Sequence, residues 1–306
     1  MKTITNKALL LTALLLSAAL SAYAQQQADL EGDFRFRIIG GGTAVEITGY
    51  IGSDTDVSIP ERIQGLPVTR IGDEAFAQIW RLTSVTIPWG VTHIGQNAFL
   101  ESRLTSVEIP DSVTHIGEGA FENNRLLHAN IHPGITYIGE RAFMENQLGS
   151  ITIPPGTTHI SYAAFAQNML TSVEIPDSVT HIGGRAFFSN LLASVSIPSG
   201  VTYIGDTAFG SNQLAEVLIP AGITRIGIHT FSGNQLTSVY IPQGVTEIAF
   251  RAFSGNRLLT YVSIPQSVTE IGGWAFAANP FTEITVPGHT EIHPNAFEPG
   301  VTVTRR

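Results

Sequence analysis

The sequence predicts a β-rich repeat solenoid of 22-residue coils with short parallel strands, on three observations. Phenylalanine recurs at Phe76, Phe99, Phe121, Phe143, Phe165, Phe187, Phe209, Phe231, Phe253, Phe276 and Phe297, and seven of these ten intervals are 22 residues. The residue before each Phe is Ala in ten of eleven cases, Thr230 being the exception. Each interval also repeats one pattern, L-x-x-V-x-I-P-x-x-V-T-x-I-G-x-x-A-F-x-x-N. A fixed period of this length marks units that cannot bury a hydrophobic face alone and stack to make a shared core.

The elements follow in chain order. Residues 1–24 read as a secretory signal peptide: Lys2 and Lys7 open it, Ala8 to Leu20 is apolar, and Ala22-Tyr23-Ala24 is a small-x-small cleavage site. The apolar run is too short for a membrane span, and no second one follows. Residues 25–56 are expected to form an N-terminal cap. Within it Asp33 to Ile39 and Ala44 to Tyr50 alternate as strands around Gly40-Gly41-Gly42, a hairpin-like pattern. The solenoid spans 57–303, with a variant first repeat at 57–81 and ten repeats from Leu82, the last shortened. Val301-Thr302-Val303 is read as a last strand and 304–306 as a tail, whose Arg305 and Arg306 would discourage edge-to-edge pairing.

Within the Leu104 repeat, L-x-x-V-x-I makes a strand with Leu104, Val107 and Ile109 inward. Pro110 ends it, having no N–H for a ladder. Val113 and Ile116 make a second inward edge, Gly117 permits the turn that follows, and Ala120-Phe121 closes the coil. Asn recurs three residues after Phe at Asn124, Asn146, Asn168, Asn190, Asn212, Asn234, Asn256 and Asn279. Identity in eight successive repeats points to an inward ladder whose amides satisfy turn backbone groups, and away from a ligand-facing row.

The repeat resembles the BspA-like class of bacterial leucine-rich repeats. Its opening, Ile47-Thr48-Gly49-Tyr50 through Ile59-Pro60, Gly65-Leu66-Pro67-Val68-Thr69 and Ile71-Gly72, is similar to that family's N-terminal unit. The likeness covers roughly residues 44 to 303. Many relatives carry Cys where this chain has Asn, and a period of 23. The resemblance implies a curved, right-handed leucine-rich-repeat solenoid exposed on, or shed from, a bacterial surface. It also implies functions of the adhesion, coaggregation or host-receptor kind.

Composition narrows the function classes. Without residues 1–24 the chain holds 14 Arg against 25 Asp plus Glu, a formal charge of −11, since both lysines lie in the leader. Scattered arginines on an acidic chain do not suit nucleic acid, which demands clustered cations, nor an anionic membrane surface. The chain has no Cys, so it must be stable without disulfides and carries no lipid-bearing lipobox Cys. No G-x-S-x-G, H-E-x-x-H or calcium loop occurs, and no carboxylate pair has a defining pocket, so the expectation is a non-enzyme without cofactors.

Two columns remain as candidate sites. The position after V-T holds His93, His115, Tyr137, His159, His181, Tyr203, Arg225, Glu247, Glu270 and Glu291. Coils about 4.8 Å apart would let His93/His115 or His159/His181 share a metal ion. With no third ligand or supporting shell, a solvent-facing stack is the stronger reading. On the strand face the outward positions are mostly Ser, Thr and Glu, but Leu218, Tyr240 and Tyr261 gather beside Glu216. Such residues are what a protein-binding solenoid offers a partner, although isolated surface tyrosines are common. Three functions compete: an exported adhesin-like binder of extracellular or host protein, such as a matrix protein; a secreted or periplasmic glycan-binding module stacking sugars on Tyr240, Tyr261 and Trp89; and a metal-binding protein.

Overall fold

The computed structural model describes residues 31–306. The expected signal peptide, 1–24, and the first residues of the cap lie outside them. The chain winds as a β-solenoid, and beyond a helical pair at 31–32 the described residues form no helix. Each coil has two strand-forming edges and one arc. In the Leu104 coil, Leu104, Val107, Ile109, Val113, Ile116, Ala120 and Phe121 are buried, while Thr105, Ser106 and Glu108 point to solvent. The period-2 alternation of the sequence thus sets which face is inside.

Stacking like on like builds the core. The eleven Phe rings form one spine, with successive centroids 5.0–5.9 Å apart and interplanar angles of 18° or less. The hairpin Phe34–Ile39 and Ala44–Tyr50 pairs antiparallel around Gly40–Gly42. Its second strand runs parallel to Leu66–Ile71 and starts the sheet that continues through His93–Ile94, His115–Ile116 and Tyr137–Ile138. Phe34 and Tyr50 close the spine, their centroids 6.3 and 5.7 Å from Phe76.

The Asn column is an inward ladder. Asn190, 4 % exposed, accepts from Leu170 N–H at 3.0 Å and donates to the Phe165 and Phe187 carbonyls at 2.9 and 3.2 Å. The same three bonds recur from Asn124 to Asn234, so each amide ties its own coil to the preceding one. In the first full repeat Ser102 takes the position, its hydroxyl donating to the Phe76 carbonyl.

Two features differ from the sequence reading. The repeated glycine serves close approach, not a turn: a Cβ on Gly139 would stand 2.4 Å from the Glu118 nitrogen. The left-handed residues flank Phe instead, as with Arg141 (φ 56) and Glu145 (φ 55) around Phe143. Their conformation costs about 1–2 kcal/mol per non-Gly residue. It also turns the N–H groups of Arg141, Phe143 and Glu145 toward the carbonyls of Tyr162, Ala164 and Ala166, at 2.9, 2.9 and 3.0 Å. At the far end the last strand is Thr302–Arg305, parallel to Glu283–Val286. Residues 304–306 are therefore part of the closing structure: Arg305 donates to the Gly288 and Thr290 carbonyls, and Arg306 to that of Ile264.

Candidate protein-binding surface

The first strand edge is not one continuous ladder. Ser238–Tyr240 pairs with Tyr261–Ser263 in the register Ser238↔Tyr261 and Tyr240↔Ser263, but Leu214–Ile219 forms no strand. Tyr240 and Tyr261 are accordingly diagonal neighbours, their ring centroids 5.7 Å apart at 56°. They are 65 % and 52 % exposed, over the buried Val239 and Val262. This tilted pair projects large apolar rings without contributing to the Phe spine.

Leu218 stands one coil before Tyr240, but no ladder bond joins the two. It is 79 % exposed, and a recess of about 500 Å³ is lined by both, with Val195, Ile197, Glu216 and Val217. Val217 is only partly buried, as are Ile151 and Val195 on coils that likewise form no strand at this edge. A second cavity of about 340 Å³, bordered by Tyr261, Glu283, Thr285 and Arg306, lies on the other side of the pair. The tyrosines therefore form a ridge between two recesses, with Glu216 on one rim. Trp89 is also exposed, at 68 %, but it sits seven coils away, about 35 Å along the stack at strand spacing. It cannot share a subsite with Tyr240.

The second edge carries the His column. His93 and His115 pair in register, as do His159 and His181, with ring centroids 4.6 and 4.5 Å apart. Tyr137 and Tyr203 extend each stack at 6.2 and 5.9 Å. Each His Nδ1 lies 2.8–2.9 Å from the hydroxyl of the preceding Thr, which leaves Nε2 as the free ring nitrogen. Burial, then the nearby Arg70 guanidinium and His115, hold the His93 pKa below the ordinary value of 6.5. Among the described residues no three His, Cys, Asp or Glu side chains converge as a metal site. Farther along, Glu247, Glu270 and Glu291 align on successive rungs. Arg225 bonds Glu247 and Asp206 at 3.0 and 3.2 Å.

Sequence reasoning missed two breaks in this second ladder. Tyr137–Ile138 does not pair with His159–Ile160, nor Tyr203–Ile204 with Arg225–Ile226. At the first of them two departures from the repeat stand in the sequence. Ser161 replaces the glycine whose Cβ the preceding backbone excludes, and Thr157 replaces the inward Val or Ile. On the closed rungs the N–H at this position donates to an Ile carbonyl, as Gly139 does to Ile116 at 2.8 Å. Here the Ser161 hydroxyl makes the bond to Ile138 instead. Ala249, at the same position, keeps its N–H bond to Ile226, so an extra carbon alone does not open the ladder, while at the second break Gly227 has no such bond to Ile204.

Coils with a short strand, a Phe spine and an Asn ladder, presenting an open face of side chains, define a leucine-rich repeat protein. The BspA type leucine rich repeat region matches residues 69–191 and 181–302 in 6 copies, and the chain belongs to that family. A leucine rich cell surface protein from Faecalibacterium prausnitzii is 26% identical, with a TM-score of 0.58 over 88% of this chain and 85% of that one. The pneumococcal vaccine antigen PcpA shares the fold at 18% identity, with a TM-score of 0.66 over 89% of this chain and 79% of its own. No curated protein matches the chain in sequence.

Proposed function

We propose that this protein is an exported, non-enzymatic scaffold that binds an extracellular protein, in the manner of an adhesin, through the strand face around Tyr240 and Tyr261. The observation that carries the reading is the Tyr240–Tyr261 ridge, exposed over a closed core and flanked by two recesses. Tyrosine offers wide contact with few rotamers to freeze, and aromatic anchors dominate binding energy at interfaces. Recesses on either side can accept a partner's side chains while the ridge packs between them. The solenoid fold, typical of interaction scaffolds, supports the same reading. Its cell-surface relative supports an exported location, secreted or surface-held.

Immobilised protein exposed to host matrix proteins and, separately, to a glycan array tests the reading. Capture of a matrix or other extracellular protein, lost in the Tyr240→Ala/Tyr261→Ala variant, is expected. Binding to glycans alone would favour the sugar-binding alternative, and recovery from the cytoplasmic fraction of the producing cell would contradict export.

A further inference from the structure

The ladder break at Ser161 opens the wall of the solenoid toward its core. The resulting cavity, about 290 Å³, has Tyr137 and His159 at its mouth and Ile138, Ile160 and Phe165 at its depth. Its rim carries backbone groups that are paired on neighbouring rungs. The Thr180 and His181 N–H groups donate to the Thr158 carbonyl at 2.9 and 3.3 Å. Across the break no such bond joins Thr158 or His159 to the Thr136 carbonyl. Thr158 loses a contact as well: the Thr136 and Thr180 hydroxyls reach the preceding Thr carbonyl at 3.1 and 3.3 Å, whereas the Thr158 hydroxyl contacts only His159. A donor and an acceptor thus stand on opposite sides of the gap without a partner in the protein, as they also do between Thr202 and Arg225 at the second break.

The side chains at the mouth suit one kind of guest. Rings stack at 4.5–6.2 Å within His93–His115–Tyr137 and within His159–His181–Tyr203, and the two stacks are interrupted at this slot. We propose that the slot binds a planar bicyclic heteroaromatic of nucleobase size, carrying an N–H donor beside a hydrogen-bond acceptor. Its ring continues the column between the Tyr137 phenol and the His159 imidazole, as offset aromatic stacking favours. Its inward edge gives the N–H to the Thr136 carbonyl and accepts from the His159 or Thr158 N–H. The volume, near the lower end of small-molecule sites at about 300 Å³, excludes a larger ligand. The apolar depth disfavours a charged one.

Quinolin-2-one, with a lactam edge on a planar bicycle, is the probe, and decahydroquinolin-2-one, with the same edge on a puckered ring, is the control. Ligand-observed NMR titration of the full chain reads both. Saturable binding of the planar lactam, at least about tenfold tighter than the puckered one, is expected from the stacking it alone can make. The Thr157→Val/Ser161→Gly variant restores the repeat residues, removes the Ser161 hydroxyl from the Ile138 carbonyl and frees that carbonyl for the residue 161 N–H, so it should fold as well as the parent and bind at least about tenfold more weakly. Tyr137→Ala, which removes one wall without touching the core, should also weaken binding. Three results would each overturn the proposal: no saturable binding of quinolin-2-one, equal affinity for the two lactams, or unaltered affinity in both variants.

Discussion

Replacing Asn190 by Ala tests the ladder that ties the coils together, and its cost can be worked from the bonds lost. Asn190 makes four: from Leu170 N–H at 3.0 Å, to the Phe188 carbonyl at 3.4 Å, which Gln167 N–H also reaches at 2.7 Å, and to the Phe165 and Phe187 carbonyls at 2.9 and 3.2 Å. The two carbonyls are not orphaned, because Asn168 also donates to Phe165 at 3.2 Å and Asn212 to Phe187 at 2.9 Å. Only the Leu170 N–H is left buried without a partner, at about 1–3 kcal/mol, with the void of the lost amide adding to it. The total expected is about 3 kcal/mol. Asn279 is the internal control. Its Oδ1 accepts no bond, because Leu259 N–H already donates to the Asn256 carbonyl at 2.8 Å. Asn279→Ala therefore strands no N–H; it leaves the Phe276 carbonyl, which Asn279 reaches at 2.8 Å, without that donor but also removes the unpaired Oδ1, and should cost less than Asn190→Ala, about 1–2 kcal/mol. Urea unfolding of both variants beside the parent, followed by far-UV circular dichroism, reads the difference. Equal midpoints for the two variants would refute the assignment of the ladder's strength to the Leu N–H bond.

Further outcomes follow from the same stacking. Phe187→Ala, in a fully buried ring between two others, should cost about 3–5 kcal/mol. Phe297→Ala should cost less, since Phe297 is 9 % exposed and has a spine neighbour on one side only. Comparable unfolding midpoints would count against the shared core. Because the His93 pKa is depressed in the fold, the neutral ring is the form the fold favours. Its contribution is fully present above about 6.5, the unfolded value, and is lost as pH falls through the lower folded pKa. The His93→Gln variant should therefore lose less stability than the parent on acidification below that pH, and identical losses would contradict the assignment. Zinc titrated into the tag-free protein should bind no tighter than the micromolar range, since each His pair lacks a third ligand. A tighter site that vanished in His159→Ala/His181→Ala would promote the metal-binding reading.

The fold was legible because repetition amplifies each weak signal: one A-F pair means little, but Phe76 to Phe297 define the spine, and the Asn column its hydrogen bonds. What could not be read was which rungs stay closed. Pairing depends on how neighbouring coils seat: the Leu218 segment repeats the pattern of Ser238–Tyr240 yet joins no ladder. The diagonal relation of Tyr240 and Tyr261, by contrast, followed from register alone. The left-handed backbone flanking Phe was hidden for a different reason. Arg141, Glu145 and Ser189 are not residues that announce positive φ; inter-coil hydrogen bonds impose it. Ser161 and Thr157 were visible as exceptions, but their consequence needed the glycine contacts of the stacked coils.

The central claim, that the tyrosine ridge anchors a protein partner, is tested most directly by the Tyr240→Ala/Tyr261→Ala variant in a binding assay against the captured partner. Both rings are more than half exposed and lie outside the Phe spine. The melting temperature should stay within about a degree or two of the parent, as for surface substitutions. Affinity should fall by about 2 kcal/mol or more, as when central aromatic anchors are removed. Undiminished affinity in that folded variant would contradict the account and move the contact surface to another face of the solenoid.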